Sequence, residues 1–279
     1  MNAKRILSYI HPVLLGISGT LCLLFFSGCH NNDITESPKT PLRITNVSTQ
    51  TFASRGENNW KEGDKIQLQF SSGIPELSFT MYNNQWKAER NIYYEDLAYP
   101  PCTYTATYGS NSLCTDQSTD EKYRQCDYMS TDENETITGP ELEILLKHRS
   151  VDIIIHIVHA GKVDAMAFNA GNLLIHTKDG ATVTPLSLGN ADMDNTRTWQ
   201  AHLPSDNVID PDGSALFSFF FDGKEYPAKY SLANAKDVIA SGTRLIVTAN
   251  FNFKLDAVAI EILSWTDEKQ SPDGVSPDI

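Results

Sequence analysis

Apolar residues recur at every second position in short runs along this chain, and that period decides its structural class. Lys65-Ile66-Gln67-Leu68-Gln69-Phe70 alternates polar and apolar without a break, and Leu142, Ile144 and Leu146 alternate with Glu141, Glu143 and Lys147. Successive side chains of an extended chain point to opposite faces, so a period of two makes a strand with one buried face. An amphipathic helix needs apolar residues three and four apart, and no stretch shows that pattern convincingly. Leu77–Tyr82 leads into Asn83-Asn84, which suits a hairpin turn, and then into Gln85 and Trp86. Val151–Val158 is a β-branched run broken only by Asp152 and His156, and Phe217–Phe221 and Leu245–Phe253 continue the theme. Asp179-Gly180, Asp212-Gly213, Asp222-Gly223 and Ser241-Gly242 supply turns between such runs.

About a dozen candidate strands separated by turns predict an all-β protein made of sandwiches. A span of roughly 220 residues exceeds one sandwich, so two in tandem are expected. Residues 43–165 are assigned to the first and 166–268 to the second, with Val151–Val158 as the last central strand of the first. The tail, residues 269–279, is polar and contains Pro272 and Pro277, and reads as disordered.

The first residues are read as an address. Lys4 and Arg5 precede a mostly apolar run, Ile6–Phe26, which ends in Phe26-Ser27-Gly28-Cys29. Small residues just before a cysteine resemble the lipobox of a bacterial lipoprotein signal peptide. That resemblance implies removal of residues 1–28 and acylation of Cys29. A plain membrane anchor is the alternative, since about 20 apolar residues can span a bilayer. Residues 29–42 carry Pro38 and Pro41 and no periodicity, and are read as a tether.

Charge excludes one class of partner. With 22 basic and 35 acidic residues the chain carries a formal charge of -13, which repels a phosphate backbone. Nucleic acid is therefore not an expected partner.

Sites for bond-making chemistry are poorly supported. Cys102, Cys114 and Cys126 remain once Cys29 is committed to lipid, an odd number that allows one disulfide and leaves three possible pairings. They contain no Cys-x-x-Cys pair, so zinc is not expected, and a cysteine protease is no better supported. His148, His156 and His159 are close in sequence and could bind metal, but read better as strand residues with hydrogen-bond partners. Glu95 and Asp96 are expected on opposite faces of a strand, a poor acid–base pair. Asp192, Asp194 and Asp210 do not complete a calcium loop. Tyr104 and Tyr108 share a face with Ala106, which suits a core as well as a sugar-stacking surface. No metal, no cofactor and no enzymatic activity are expected.

Four stretches in order resemble the fimbrillin family, the Mfa-like lipoproteins of Bacteroidetes type V pili. They begin with Thr51-Phe52-Ala53-Ser54-Arg55-Gly56 and Trp60-Lys61-Glu62-Gly63-Asp64-Lys65-Ile66. Next come Trp86, Ile92-Tyr93-Tyr94 and Leu97-Ala98-Tyr99-Pro100. Asp116-Gln117-Ser118-Thr119, Tyr123 and Cys126-Asp127-Tyr128-Met129 form the third, followed by Leu146-Lys147-His148. Ala240-Ser241-Gly242-Thr243-Arg244-Leu245 and Ile260-Glu261-Ile262-Leu263-Ser264-Trp265 close the series.

The resemblance implies two transthyretin-like sandwiches on an outer-membrane lipoprotein. In polymerising members a protease cuts after an arginine and frees an N-terminal strand, and a neighbour's strand fills the groove. Carried over here, the strand is Arg43–Phe52 with Ile44, Val47 and Phe52 as its apolar members. Arg55 is the candidate cleavage site and Arg43 the alternative. Ile44 and Val47 differ by three, which breaks strict alternation. The prolines in the tail are costly in a donor strand, so an anchor, accessory subunit or non-polymerising adhesin fits better than a shaft subunit. The expected partners are other fimbrillin-like subunits or surface ligands. The alternative function is glycan binding by a surface lipoprotein of a nutrient-uptake system.

Overall fold

The computed structural model describes residues 38–50, 60–71, 73–98, 101–132, 135–159, 163–189, 195–209, 214–229 and 239–264. The alternating runs form strands. β1 (Arg43–Thr49), β2 (Lys65–Phe70), β3 (Leu77–Tyr82), β4 (Gln85–Ala88), β5 (Thr103–Tyr108), β6 (Met129–Ser130), β7 (Glu135–Thr136) and β8 (Glu141–His148) belong to one sheet. Its ladder runs β1-β8-β6-β5-β2-β3-β4, with β7 added on β5. Ile66 and Leu68 of β2 are fully buried while Lys65, Gln67 and Gln69 are exposed, as the period of two requires. Asn83 and Asn84 both adopt left-handed φ, 51° and 58°, which makes the β3–β4 connection the tight hairpin turn whose twist matches its strands. β1 and β4 stand at opposite ends of the ladder yet pack side by side, so the sheet curls around a single core.

The later strands build two sheets. β9 (Ser150–His159), β12 (Leu186–Ser187), β13 (Thr196–Pro204), β16 (Thr243–Phe251) and β17 (Leu255–Ser264) form one, in the order β12-β13-β9-β16-β17. β10 (Asn172–His176), β11 (Thr182–Val183), β14 (Ala215–Phe221) and β15 (Lys224–Lys229) form the other, in the order β11-β10-β14-β15. Val151, Ile153, Ile155 and Ile157 of β9 share one buried cluster with Phe217 and Phe219 of β14. The two sheets thus face each other across a common core, as sandwich sheets do.

The assignment of Val151–Val158 to the first sandwich needs correction. β9 pairs antiparallel with β13 and parallel with β16, in the middle of the second sheet system. The change of sheet falls between His148, the end of β8, and Ser150, the start of β9, whereas Ala165 lies inside the second system. The run is rich in β-branched residues because it is central, between β13 and β16, and such a run carries no mark of which sheet it joins. Among the described residues two short α-helices interrupt the strands: α1 (Asp120–Gln125), capped by Thr119 Oγ1 accepting from Lys122 N, and α2 (Ala165–Asn169), capped by Asp164 Oδ1 accepting from Ala167 N. Lys39–Ile279 group as one compact unit. Among the described residues no helix is long and apolar enough to cross a membrane.

Candidate functional site

The seam at β1 is built differently from the rest of the first sheet. β1 runs parallel to β8, while the other pairings of this sheet are antiparallel. Its register slips between Ile44, opposite Leu142, and Asn46, opposite Glu143. Thr45 is therefore the extra residue of a bulge, and its Oγ1 donates to Leu142 O at 3.2 Å. The bulge resets the alternation, so Ile44 and Val47, three apart, both point inward and are buried with Leu42. Burying side chains of this size stabilises by roughly 1.5–3 kcal/mol each. Leu142, Ile144 and Leu146 of β8 lie in the same core.

Backbone hydrogen bonds hold β1 at both ends. Arg43 N donates to Pro140 O at 2.8 Å and Gln50 N to Leu146 O at 2.8 Å. Leu42 N donates to Ile92 O and Tyr94 N to Thr40 O, each at 2.9 Å. Glu95 and Asp96 sit in a 3-10 turn, Tyr94–Asp96, and not on a strand. There Glu95 Oε2 accepts from Thr40 N at 2.8 Å and Asp96 Oδ1 binds Lys39 Nζ at 2.7 Å, so this pair clasps the chain leading into β1. Trp60 pins the middle: its Nε1 donates to Val47 O at 3.0 Å, and its ring meets Trp86 and Tyr108 edge-on at 5.4 and 5.1 Å. In the same Trp-x-x-Gly-Asp stretch, Asp64 accepts from Arg124 at 2.6 Å and from Tyr108 Oη at 3.2 Å.

Arg124 leads to a second feature, the joint between the sheet systems. The chain between β5 and β6 leaves the first sheet and docks on the second. Gln117 is fully buried, and its side-chain amide acts as a short piece of strand. Its Oε1 accepts from His202 N at 2.8 Å, and its Nε2 donates to His202 O at 2.7 Å and Cys114 O at 3.1 Å. Thr184 N donates to Thr115 O and Gln117 N to Thr184 O, both at 2.8 Å. Tyr123 of α1 stacks on His202 with ring centres 4.4 Å apart, and its hydroxyl donates to Asp152 Oδ1 at 3.1 Å. Arg244 Nε donates to the other Asp152 oxygen at 2.8 Å, which satisfies a carboxylate that is 1% exposed.

Asp127 completes the joint. His148 Nδ1 lies 2.9 Å from its carboxylate, Ser150 Oγ donates to it at 2.9 Å, and His202 Nδ1 is 3.8 Å away. Burial pushes the Asp127 carboxyl up, but the charges of His202 and His148 and the hydrogen bonds from His148 and Ser150 outweigh it and hold it at about 2. A cavity of about 800 Å³ opens beside these residues, lined among others by Ser110, Asn111, Tyr128, Arg149, Ser205 and Asp206.

The remaining candidate residues scatter. Arg43 is exposed on β1. Cys29, Phe52 and Arg55 lie outside the described residues. His148 faces Asp127, His156 Nδ1 lies 2.8 Å from Thr198 Oγ1, and His159 packs its ring 4.6 Å from Phe168. Among the described residues no three His, Cys, Asp or Glu side chains converge into a group able to hold a metal. Tyr104, Ala106 and Tyr108 are buried in the first core, and desolvation pushes the Tyr104 hydroxyl up to about 12. Sequence reasoning quoted Trp60, Asp64, Gln117 and Asp127 within motifs, but did not assign them the pinning and docking roles they have.

Two solved structures align over most of this chain. One is a Bacteroides uniformis protein provisionally assigned to cell adhesion, with a TM-score of 0.53 at 13% identity, covering 82% of this chain and 99% of that chain. A second, from Bacteroides ovatus with the same provisional assignment, gives a TM-score of 0.56 at 8% identity, again covering 82% and 99%. This chain shares their fold. A fimbrial protein from Bacteroides ovatus is a looser likeness, with a TM-score of 0.45 at 14% identity, covering 85% of this chain and 56% of that chain. No family model matches the sequence, and no curated protein matches it. The two neighbours that share the fold are thus Bacteroides proteins provisionally assigned to cell adhesion, alike in fold at low sequence identity.

Proposed function

We propose that the protein is a non-enzymatic, lipid-anchored component of the bacterial outer surface that acts in pilus assembly or adhesion through β-strand complementation. The observation that carries this reading is the β1 seam. A bulged strand closes the first sheet, reaches it directly from the proposed tether, and pairs parallel on β8 with Ile44 and Val47 in the core and Leu42 just before it. Without it, β8 would present an unpaired edge beside Leu142, Ile144 and Leu146, a template for a strand from another chain. The fold shared with adhesion-assigned proteins supports the same reading. The chain is read as two tandem transthyretin-like sandwiches that divide near Arg149. Other surface subunits are its partners, and Cys29 carries the lipid.

The test is limited proteolysis of the intact protein with an arginine-specific protease, followed by N-terminal sequencing and light scattering. Cleavage after Arg55, or after Arg43, with assembly of the cut chains into oligomers is expected. A chain that is cut there yet stays monomeric and keeps its strand contradicts the reading. For the anchor, fatty-acid labelling of wild type that persists in Cys29→Ser contradicts lipidation at that residue.

One observation favours a second reading, glycan binding. The cavity beside Asp127 is lined by many hydroxyl-bearing side chains, which suits sugar hydroxyls. Calorimetric titration with surface and dietary glycans tests it, and binding abolished by Asp206→Ala locates the glycan in this cavity.

A further inference from the structure

We propose that Cys114 and Cys126 form a disulfide that closes the loop around α1 and locks the joint between the two sheet systems. Spacing alone leaves three pairings open among Cys102, Cys114 and Cys126. Their surroundings separate them. Cys102 lies in the core of the first sheet, 1% exposed, with its Sγ donating to Thr103 O at 3.4 Å. Cys126 ends α1, where its N–H donates to Lys122 O and Tyr123 O, each at 3.2 Å. Ser110 N donates to Gln125 O at 3.0 Å, which folds the preceding loop back onto that helix end. Gln117 holds the Cys114 carbonyl from the other side. The Cys114 and Cys126 thiols, both free here, lie close enough that each shifts the other's ionisation.

The two thiols are also chemically unequal. Hydrogen bonds from Cys126 and Ser110, against partial burial, bring Cys114 down to about 7, whereas its bond to Cys114 and burial push Cys126 up. Cys114 is the half-buried member and Cys126 the buried one. Cys114 is therefore the attacking thiolate and Cys126 the resolving thiol. The oxidant is a disulfide-bearing molecule. Cys114 Sγ attacks one of its sulfurs, forms a mixed disulfide and expels the first thiolate, which takes up the Cys126 proton. Cys126 Sγ then attacks Cys114 Sγ and expels the second thiolate, which takes up the proton that Cys114 released on ionising. Two S–H groups become one S–S bond, and the oxidant's S–S bond becomes two thiols. The closed ring contains Gln117 and Tyr123, so it ties together the two side chains that grip His202.

The full chain, oxidised with a glutathione buffer and blocked with an alkylating agent, is digested with chymotrypsin without reduction. Chymotrypsin cuts after tyrosine, so Tyr104 and Tyr108 separate Cys102 from Cys114, and Tyr123 separates Cys114 from Cys126. A cross-linked pair carrying Cys114 and Cys126, two hydrogens lighter than the separate thiol peptides, is expected. Cys102 should be alkylated only after denaturation. Oxidation should also raise the thermal midpoint by roughly 5–10 °C, and the Cys114→Ser/Cys126→Ser double variant should lose that rise. A cross-link from Cys102 to either partner, or recovery of Cys114 and Cys126 both as alkylated thiols after oxidation, overturns the proposal.

Discussion

Around the core of the second sheet pair, the central strands are long and held on both sides. β9 has ten residues between β13 and β16, which have nine each, and its inward residues pack on the phenylalanines of the opposite sheet. Around the first core, closure depends on a seven-residue strand at the end of the ladder, paired on one side and contributing Ile44 and Val47, with Leu42 just before it. The second body is complete within its own ladders. The first is an open sheet closed by an added ribbon, and the ribbon is held by groups at a few points: Trp60, the Glu95–Asp96 clasp and the loop carbonyls of Ile92 and Pro140. Two cores can therefore differ in how their closing strand is held.

Truncation in the second core should have the largest effect. Phe219 is fully buried against Phe168, Trp199, Phe221 and Phe251. Phe219→Ala is expected to lower unfolding stability by about 3–5 kcal/mol in chemical denaturation. Next comes the joint. Gln117→Ala leaves the His202 N–H and C=O buried without their amide partner, and should cost about 2–3 kcal/mol. It should also split a single unfolding transition into two, because the two bodies lose the contact that couples them.

Acid is expected to act on the same joint with a slightly smaller effect. Asp127 is held at about 2 in the folded protein against an ordinary value near 3.8. A depressed folded value contributes stability that is present above the unfolded value and is lost as the pH falls through the folded one. Roughly 2 kcal/mol should therefore disappear between about pH 4 and pH 2. Asp127→Asn should flatten that part of a stability-against-pH curve. Val47→Ala is the mildest, at about 1–2 kcal/mol. Hydrogen exchange should show its effect in β1 and β8 and leave β9, β13 and β16 protected. Equal loss of protection in both bodies would erase the distinction between them.

The strands were legible because a half-buried strand writes its period into the sequence, and Lys65–Phe70 and Glu141–Leu146 did so plainly. Thr45 shows how one residue hides a strand: the bulge turns a correct inward pair, Ile44 and Val47, into a spacing of three. The sheet membership of β9 was not legible, since a run rich in β-branched residues fits the middle of any sheet. α1 was missed because it buries only Tyr123, too little for a helical period, although Thr119 followed by Asp120-Glu121 is a readable start signal. The joint was not legible because its decisive contacts join residues far apart, such as Gln117 and His202, 85 positions away. No local spacing encodes such a contact.

Thermal unfolding of a chain beginning at Gly56, with and without a synthetic peptide of residues 43–55, tests the ribbon most directly. The account predicts a midpoint that rises with peptide concentration, and no rise with a peptide carrying Ile44→Asp and Val47→Asp. A truncated chain as stable as the intact one and indifferent to either peptide would contradict it.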